Sequence, residues 1–208
     1  MLFADIDFRY EPSATFKWAT FGLLVGAATL TGFMRNSTNT ALLLSILAIP
    51  LSFLLASGAF RVVLLAGGGV ERVARNRVLA YSSRHPEWSF HLYRTPAGWR
   101  ALATHQTFSP DDPAVADCFS QLRVDPVYTL MCRNQQCFRA RVSAKPWRIG
   151  IAAHMRPRPG VWPVAPQRMG VRNAWVEQYE AHAGGYAACH FIESVGSGTV
   201  APAVRPSD

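Results

Sequence analysis

Residues 41–60 read ALLLSILAIPLSFLLASGAF, twenty positions in a row without a charge. Upstream, residues 18–34 read WATFGLLVGAATLTGFM, seventeen more. Only Arg35, Asn36, Ser37, Thr38, Asn39 and Thr40 separate the two runs, and the apolar character resumes after Arg61. A helix needs roughly 20 apolar residues to cross the hydrocarbon core of a bilayer, with about 17 as the lower limit. The pair predicts a transmembrane helical hairpin over 18–66, with spans at about 18–34 and 41–60 or 66. Neither run reads as a cleaved signal peptide, because a polar stretch containing Asp5, Asp7 and Glu11 precedes the first and no small-residue cleavage site follows Met34.

Lys and Arg near the helix ends set the expected orientation. Arg9 and Lys17 precede the hairpin, Arg61, Arg72, Arg75 and Arg77 follow it, and Arg35 is alone in the connecting loop. The expectation is a two-pass protein of a bacterial-type inner (plasma) membrane with both termini cytoplasmic. Gly22 and Gly26 have the GxxxG spacing, continued by Ala27 and Gly32, while the second helix offers Ser52, Ala56 and Ala59. Small residues let helix backbones approach in lipid, so homo- or hetero-oligomers through these helices are an expected form of association. Pro50 should kink the second helix. With no Asp, Glu, Lys or His inside either run, the hairpin reads as an anchor rather than an ion or proton path.

Composition fits this division. The 208 residues are 50% hydrophobic and 16% charged, against about a quarter charged in ordinary soluble domains. That excludes a disordered chain, a coiled coil or a collagen-like fibre. Net charge is +8, carried mostly by Arg, whose planar fork suits phosphate and carboxylate.

The expected fold is α+β: the N-terminal two-helix hairpin followed by a small mixed α/β cytosolic domain. Residues 1–17 read as a cytosolic, exposed and charged tail, 67–80 as a basic juxtamembrane stalk, 81–195 as the domain and 196–208 as a weakly structured tail. Arg72, Arg75 and Arg77 on the stalk would lie at the membrane surface, where each is worth about 1 kcal/mol beside anionic headgroups. Alternation in WSFHLYRT and WRALATHQTF around Pro96-Ala97-Gly98 predicts a hairpin. Pro113 after Asp112, and Pro126 after Asp125, each open a predicted helix. Val115, Cys118, Phe119 and Leu122 recur at helical spacing in the first, and Val127, Leu130 and Met131 in the second. Residues 137–143, CFRARVS, return to strand alternation. The four prolines of 156–166 mark an irregular connection. A helix over 167–182, with Met169, Arg172, Val176 and Tyr179 on one side, and a strand within 186–195 complete the order ββααβαβ.

Between Arg123 and Arg172 stand ten basic residues and one acidic residue, Asp125. On a CFRARVS strand, Arg139 and Arg141 would point away from Phe138, Ala140 and Val142. Lys145, Trp147 and Arg148 follow at once. This group is the candidate anion site, with guanidinium forks for phosphate or carboxylate and an indole for stacking. Cys118, Cys132, Cys137 and Cys189 lack the paired knuckles of a zinc site, so no metal and no cofactor are expected. His91 and His105 fall on paired strands whose register the sequence does not fix. P-loop, GxSxG, HExxH and GxGxxG motifs are absent.

The functional expectation is a membrane-anchored protein whose basic cytosolic domain binds an anionic ligand or partner, in addition to membrane lipid: a lipid headgroup, a nucleotide or nucleic acid, or an acidic protein, as a subunit of a membrane complex. No recognition helix or aromatic nucleic-acid-binding string marks the nucleic-acid case. The alternative is a small membrane-tethered enzyme acting on a phosphorylated or acyl substrate, with the Arg/Lys group as anion clamp and a His or Cys beside it.

Overall fold

The computed structural model describes residues 1–158 and 162–204. Pro159, Gly160 and Val161 of the proline-rich connection, and residues 205–208 of the expected tail, lie outside the described residues. The described residues form six α-helices and one four-stranded antiparallel sheet, a mixed α+β fold. They divide into a helical unit, Asp7–Arg77, and a sheet unit made of Met1–Ile6 and Val78–Asp208.

In the helical unit, α1 (Ala14–Met34) and α2 (Thr38–Ala66) pack on one another. Ser13 caps α1 by accepting from the Phe16 N–H at 3.2 Å, and Ser37 caps α2 through Thr40. The reversal needs only residues 35–37. Ser37 N–H donates to the Gly32 carbonyl and Asn36 N–H to that of Phe33, both at 3.0 Å. Asn36 takes the left-handed φ of +48° that this helix ending requires. The α2 helix runs unbroken through Pro50.

Packing in this unit is inverted relative to a water-soluble core. Ala28 and Gly32 of α1, and Ala48, Ser52 and Ala56 of α2, are the buried positions, whereas Leu23, Leu30, Phe33, Ile46, Phe53 and Leu54 are exposed. A Cβ on Gly32 would lie 2.9 Å from the Ala41 Cα, so the backbones touch there. Gly22 and Gly26, the GxxxG pair, have nothing within 4 Å of their Cβ positions. The close approach therefore uses the second half of α1, and Ala59, expected beside Ser52 and Ala56, is exposed.

Among the described residues, α2 alone is both long and apolar enough to cross a membrane. In α1, Lys17, the glycines and four threonines dilute the apolar content. A two-span hairpin is therefore not established by length and composition; one candidate span is.

Gly67, Gly68 and Gly69 turn the chain into α3 (Val70–Arg84), with Gly68 and Gly69 at φ of +79° and +93°. The expected stalk is thus a helix that continues to Arg84, past the anticipated domain start.

The sheet unit corrects the N-terminal expectation. Instead of an exposed tail, Phe3–Asp7 form β1, an edge strand of the sheet. The order is β1-β3-β2-β4, with β2 (Ser89–Arg94), β3 (Gly98–Ala103) and β4 (His190–Gly196). Alternation in LFADIDF is the reason: Leu2, Ala4 and Ile6 are fully buried, while Phe3, Asp5 and Asp7 face the other way. β2 pairs antiparallel with β3, setting Phe90 opposite Ala103 and Leu92 opposite Ala101, and Val195 of β4 joins the same buried face.

Helices α4 (Pro113–Leu122) and α5 (Pro126–Gln135) start where Asp112 and Asp125 accept from the Ala114 and Val127 N–H groups. The α4 positions Val115, Cys118, Phe119 and Leu122 are buried, as their spacing predicts. Tyr81 of α3 packs its ring 5.3 Å from Trp88 and 6.1 Å from Phe90, and hydrogen-bonds Cys118. On α5 the outcome reverses. Val127, Leu130 and Met131 are exposed and Cys132 is buried.

Residues 137–143 form no strand. Val142, expected to face inward with Phe138 and Ala140, is 90% exposed. The segment instead runs as a loop whose Arg141 carbonyl accepts from the Arg100 side chain rather than from the N–H of a neighbouring strand. After a 3-10 turn at Pro146–Ile149 and another at Pro166–Arg168, α6 (Met169–Ala183) buries Trp175, with Arg172, Val176 and Tyr179 half-buried along the same side. Tyr179 donates to the Ala144 carbonyl at 2.7 Å and packs on a small cluster of Ala144, Ile149 and Ile151. The stretch after β4 is also tied down: Thr104, fully buried, donates to the Thr199 carbonyl at 2.8 Å, and Ala201 N–H donates to the Thr104 carbonyl.

Candidate functional site

One face of the sheet is the core; the other carries a row of four side chains, one from each strand. Phe191 of β4 stands opposite Tyr93 of β2, Tyr93 stands opposite Arg100 of β3, and Arg100 reaches Asp5 of β1. Arg100 is 9% exposed. Its Nε donates to Asp5 Oδ1 at 2.6 Å and its Nη2 to Oδ2 at 3.1 Å, a bidentate fork. The remaining arm, Nη1, donates to the Arg141 carbonyl at 2.9 Å. Burial alone would lower the Arg100 pKa, but the hydrogen bonds and charge of Asp5 raise it overall, so the guanidinium is fixed as a cation.

A second clamp lies beside the first. Tyr128 of α5 donates to the Phe3 carbonyl at 3.0 Å, with Cys132 and the Arg139 backbone close enough to act on its phenol. Burial pushes its phenol well above the ordinary range, so it stays protonated as a donor. The main chain of residues 139–141 is thus fastened to β3 at the Arg141 carbonyl and passes close to Tyr128 at Arg139.

The candidate anion residues divide between two places. Arg139 and Arg141 are exposed, and among the described residues neither guanidinium has a hydrogen-bond or ion-pair partner. Lys145 lies over the Trp147 ring at 5.2 Å, with Trp147 and Arg148 exposed on the 3-10 turn. No hydrogen bond, ion pair or ring contact joins this second group to Arg139 or Arg141 among the described residues. Arg72 is exposed on α3, while Arg75 and Arg77 are half-buried and each has an interaction within the protein.

The open half of the polar sheet face is aromatic. Phe191 is 54% exposed, with its ring centre 5.5 Å from His91 and 5.7 Å from Tyr93, both edge-on. Burial, with the Cys189 thiol nearby, raises the Tyr93 pKa. Phe191 enters the row through a register shift between Leu92 and Tyr93 on the β2/β4 ladder.

The two histidines do not meet. His91 pairs with Leu102 and Ser194, whereas His105 lies past the end of β3 and accepts from the Ser89 N–H at 3.3 Å. The His105 pKa is lowered, chiefly by burial among Trp88 and Phe108. Of the free cysteines, Cys118 and Cys132 are buried and Cys137 and Cys189 half-buried. Burial pushes the Cys118 thiol up to about 12, which removes it as a nucleophile. No group of three or more His, Cys, Asp or Glu side chains is gathered to hold a metal among the described residues.

A cavity of about 430 Å³ opens between α4 and α5, lined by Val115, Phe119, Val124, Thr129, Leu130 and Arg133 among others. Arg133 at its rim lies 3.9 Å from Asp111, which also accepts from Gln136 at 2.7 Å.

Comparison with protein-family models, with curated proteins and with solved structures finds no match to this chain.

Proposed function

We propose that this is a two-pass membrane-anchored protein whose cytoplasmic sheet unit binds an anionic ligand through Arg139 and Arg141. The observation that carries the anion reading is the pinned loop. Arg100 holds its backbone at the Arg141 carbonyl, yet both guanidinium groups stand exposed and without an acidic partner among the described residues. A held backbone spares the loop its own ordering cost when the unpaired arginines meet an anion. The enzymatic alternative needs an acid, base or nucleophile at this pair; no His, Cys, Asp or Glu side chain bonds to either guanidinium among the described residues.

Connectivity supports the two-pass reading. β1 precedes α1, and β2 to β4 follow α3, yet all four strands share one sheet. A sheet cannot be divided by a bilayer, because its ladder would cross hydrocarbon. If α2 crosses once, the chain must cross again to return, and α1 is the segment packed against it. Its 21 residues span about 31 Å at 1.5 Å per residue, close to the hydrocarbon thickness of about 30 Å. Its threonines are compatible with lipid because their hydroxyls donate within the helix, Thr20 to Phe16, Thr29 to Gly26 and Thr31 to Ala27, at 2.8–2.9 Å. Lys17 sits in the first turn, paired with Glu11 at 3.1 Å. The distribution of Arg and Lys puts both termini in the cytoplasm.

The experiment is binding of inorganic polyphosphate to the full-length protein in nanodiscs of neutral lipid. Reversing both charges, R139E/R141E, is expected to weaken binding about tenfold or more in low salt, with the difference shrinking as salt is added. Unchanged low-salt affinity contradicts the proposal.

A further inference from the structure

The row across the sheet ties an exposed aromatic group to the pinned arginine loop. Phe191, His91 and Tyr93 occupy the β2/β4 half of the polar face. Tyr93 is the cross-strand partner of Arg100, and Arg100 holds the Arg141 carbonyl. The rings and the backbone of the Arg139–Arg141 loop are therefore tied to the same row of the sheet, within one unit of the fold.

We propose that this half of the sheet binds single-stranded nucleic acid, with bases stacking on Phe191, His91 and Tyr93 and phosphates meeting Arg139 and Arg141. It rests on the anion reading above and names the class of anion.

Three observations favour this occupant over a lipid headgroup or an acidic peptide. Rings on an open sheet face accept unstacked bases, since every base has a π face and none needs a closed pocket. A headgroup or acidic peptide would use the arginines but gain nothing from a phenyl ring kept half in water. The charge also fits: Arg139 and Arg141 are exposed with no acidic partner among the described residues, and basic residues bind phosphate backbones of any sequence. An open face meets each base from one side only, so useful affinity comes from several nucleotides at once, which favours a strand over a free mononucleotide.

The test uses full-length protein in neutral-lipid nanodiscs and fluorescence anisotropy of a short labelled single-stranded oligonucleotide, with polyphosphate and a mononucleotide measured alongside. Base–aromatic stacking is worth about 1–3 kcal/mol per base, about 5- to 150-fold in affinity. Phe191→Ala should weaken oligonucleotide binding by at least fivefold and leave polyphosphate binding unchanged. Phe191→Tyr, which keeps the ring, should restore it. R139E/R141E should weaken both ligands. If Phe191→Ala leaves oligonucleotide affinity unchanged while R139E/R141E still weakens polyphosphate binding, the stacking proposal is overturned and the anion reading stands. A mononucleotide binding as tightly as the oligonucleotide overturns the strand as occupant. Insensitivity of every ligand to R139E/R141E overturns both readings.

Discussion

Arg100 of β3 grips Asp5 of β1 with two parallel hydrogen bonds, 2.6 and 3.1 Å long. The pair joins residues 95 positions apart and fastens the N-terminal strand to the sheet. Removing one partner leaves the other charge largely buried. Asp5→Ala should therefore lower stability by about 3 kcal/mol, the usual loss when a buried ion pair is broken. Adding Arg100→Leu to that variant should recover part of the loss, because the orphaned charge is gone. Denaturant titration of the detergent-solubilised protein, followed by tryptophan fluorescence, checks this. A change under about 0.5 kcal/mol for Asp5→Ala, the scale of an ordinary surface substitution, would place the pair outside the fold's support.

The helix pair makes a sharper prediction about glycines. At Gly32 an added methyl meets Ala41 backbone and side chain, whereas at Gly22 and Gly26 it meets nothing. Gly32→Ala should cost about 1–3 kcal/mol through overpacking. Gly22→Ala and Gly26→Ala should be neutral or slightly stabilising in the isolated chain. Melting curves of the three variants in one detergent give the comparison. Equal behaviour would mean that the helices do not approach at Gly32.

His105 predicts a pH dependence with a fixed sign. Its pKa in the folded protein is lowered by burial, so the unfolded chain binds more protons as pH falls. Stability should be full above the unfolded histidine value of about 6.5 and decline as pH drops below it toward the depressed folded value. His105→Gln keeps an acceptor for the Ser89 N–H and should remove that part of the decline. Denaturation midpoints measured across pH 5 to 8 for both proteins test it; parallel curves would exclude His105 as the titrating group.

Local signals were legible in the sequence wherever one segment decides its own structure. The caps at Asp112 and Asp125, the helical stripe of Val115, Cys118, Phe119 and Leu122, and the 89–103 hairpin all follow from neighbours in the chain. Failures arose where distant segments compete. Nothing local reveals that residues 3–7 take the sheet edge next to β3, or that the CFRARVS backbone is engaged by the distant Arg100 side chain instead of by a strand. Arg139 and Arg141 are exposed all the same, because their exposure does not depend on strand formation. Phe191 escaped notice because its place in the row depends on an irregular β2/β4 register. The sequence offered one clue to β1, the alternation of Leu2, Ala4 and Ile6 with Phe3, Asp5 and Asp7, which reads equally as a charged tail until a partner for Asp5 is known.

The most direct measurement is the sidedness of three positions in intact cells: reporter fusions at the N-terminus, at Asn36 and at the C-terminus. If α2 crosses the membrane, the shared sheet of β1 with β2 to β4 predicts that both termini report one side and Asn36 the opposite one, and the Lys and Arg distribution predicts that the shared side is the cytoplasm. Termini on opposite sides, or Asn36 on the same side as both, would contradict the two-pass account.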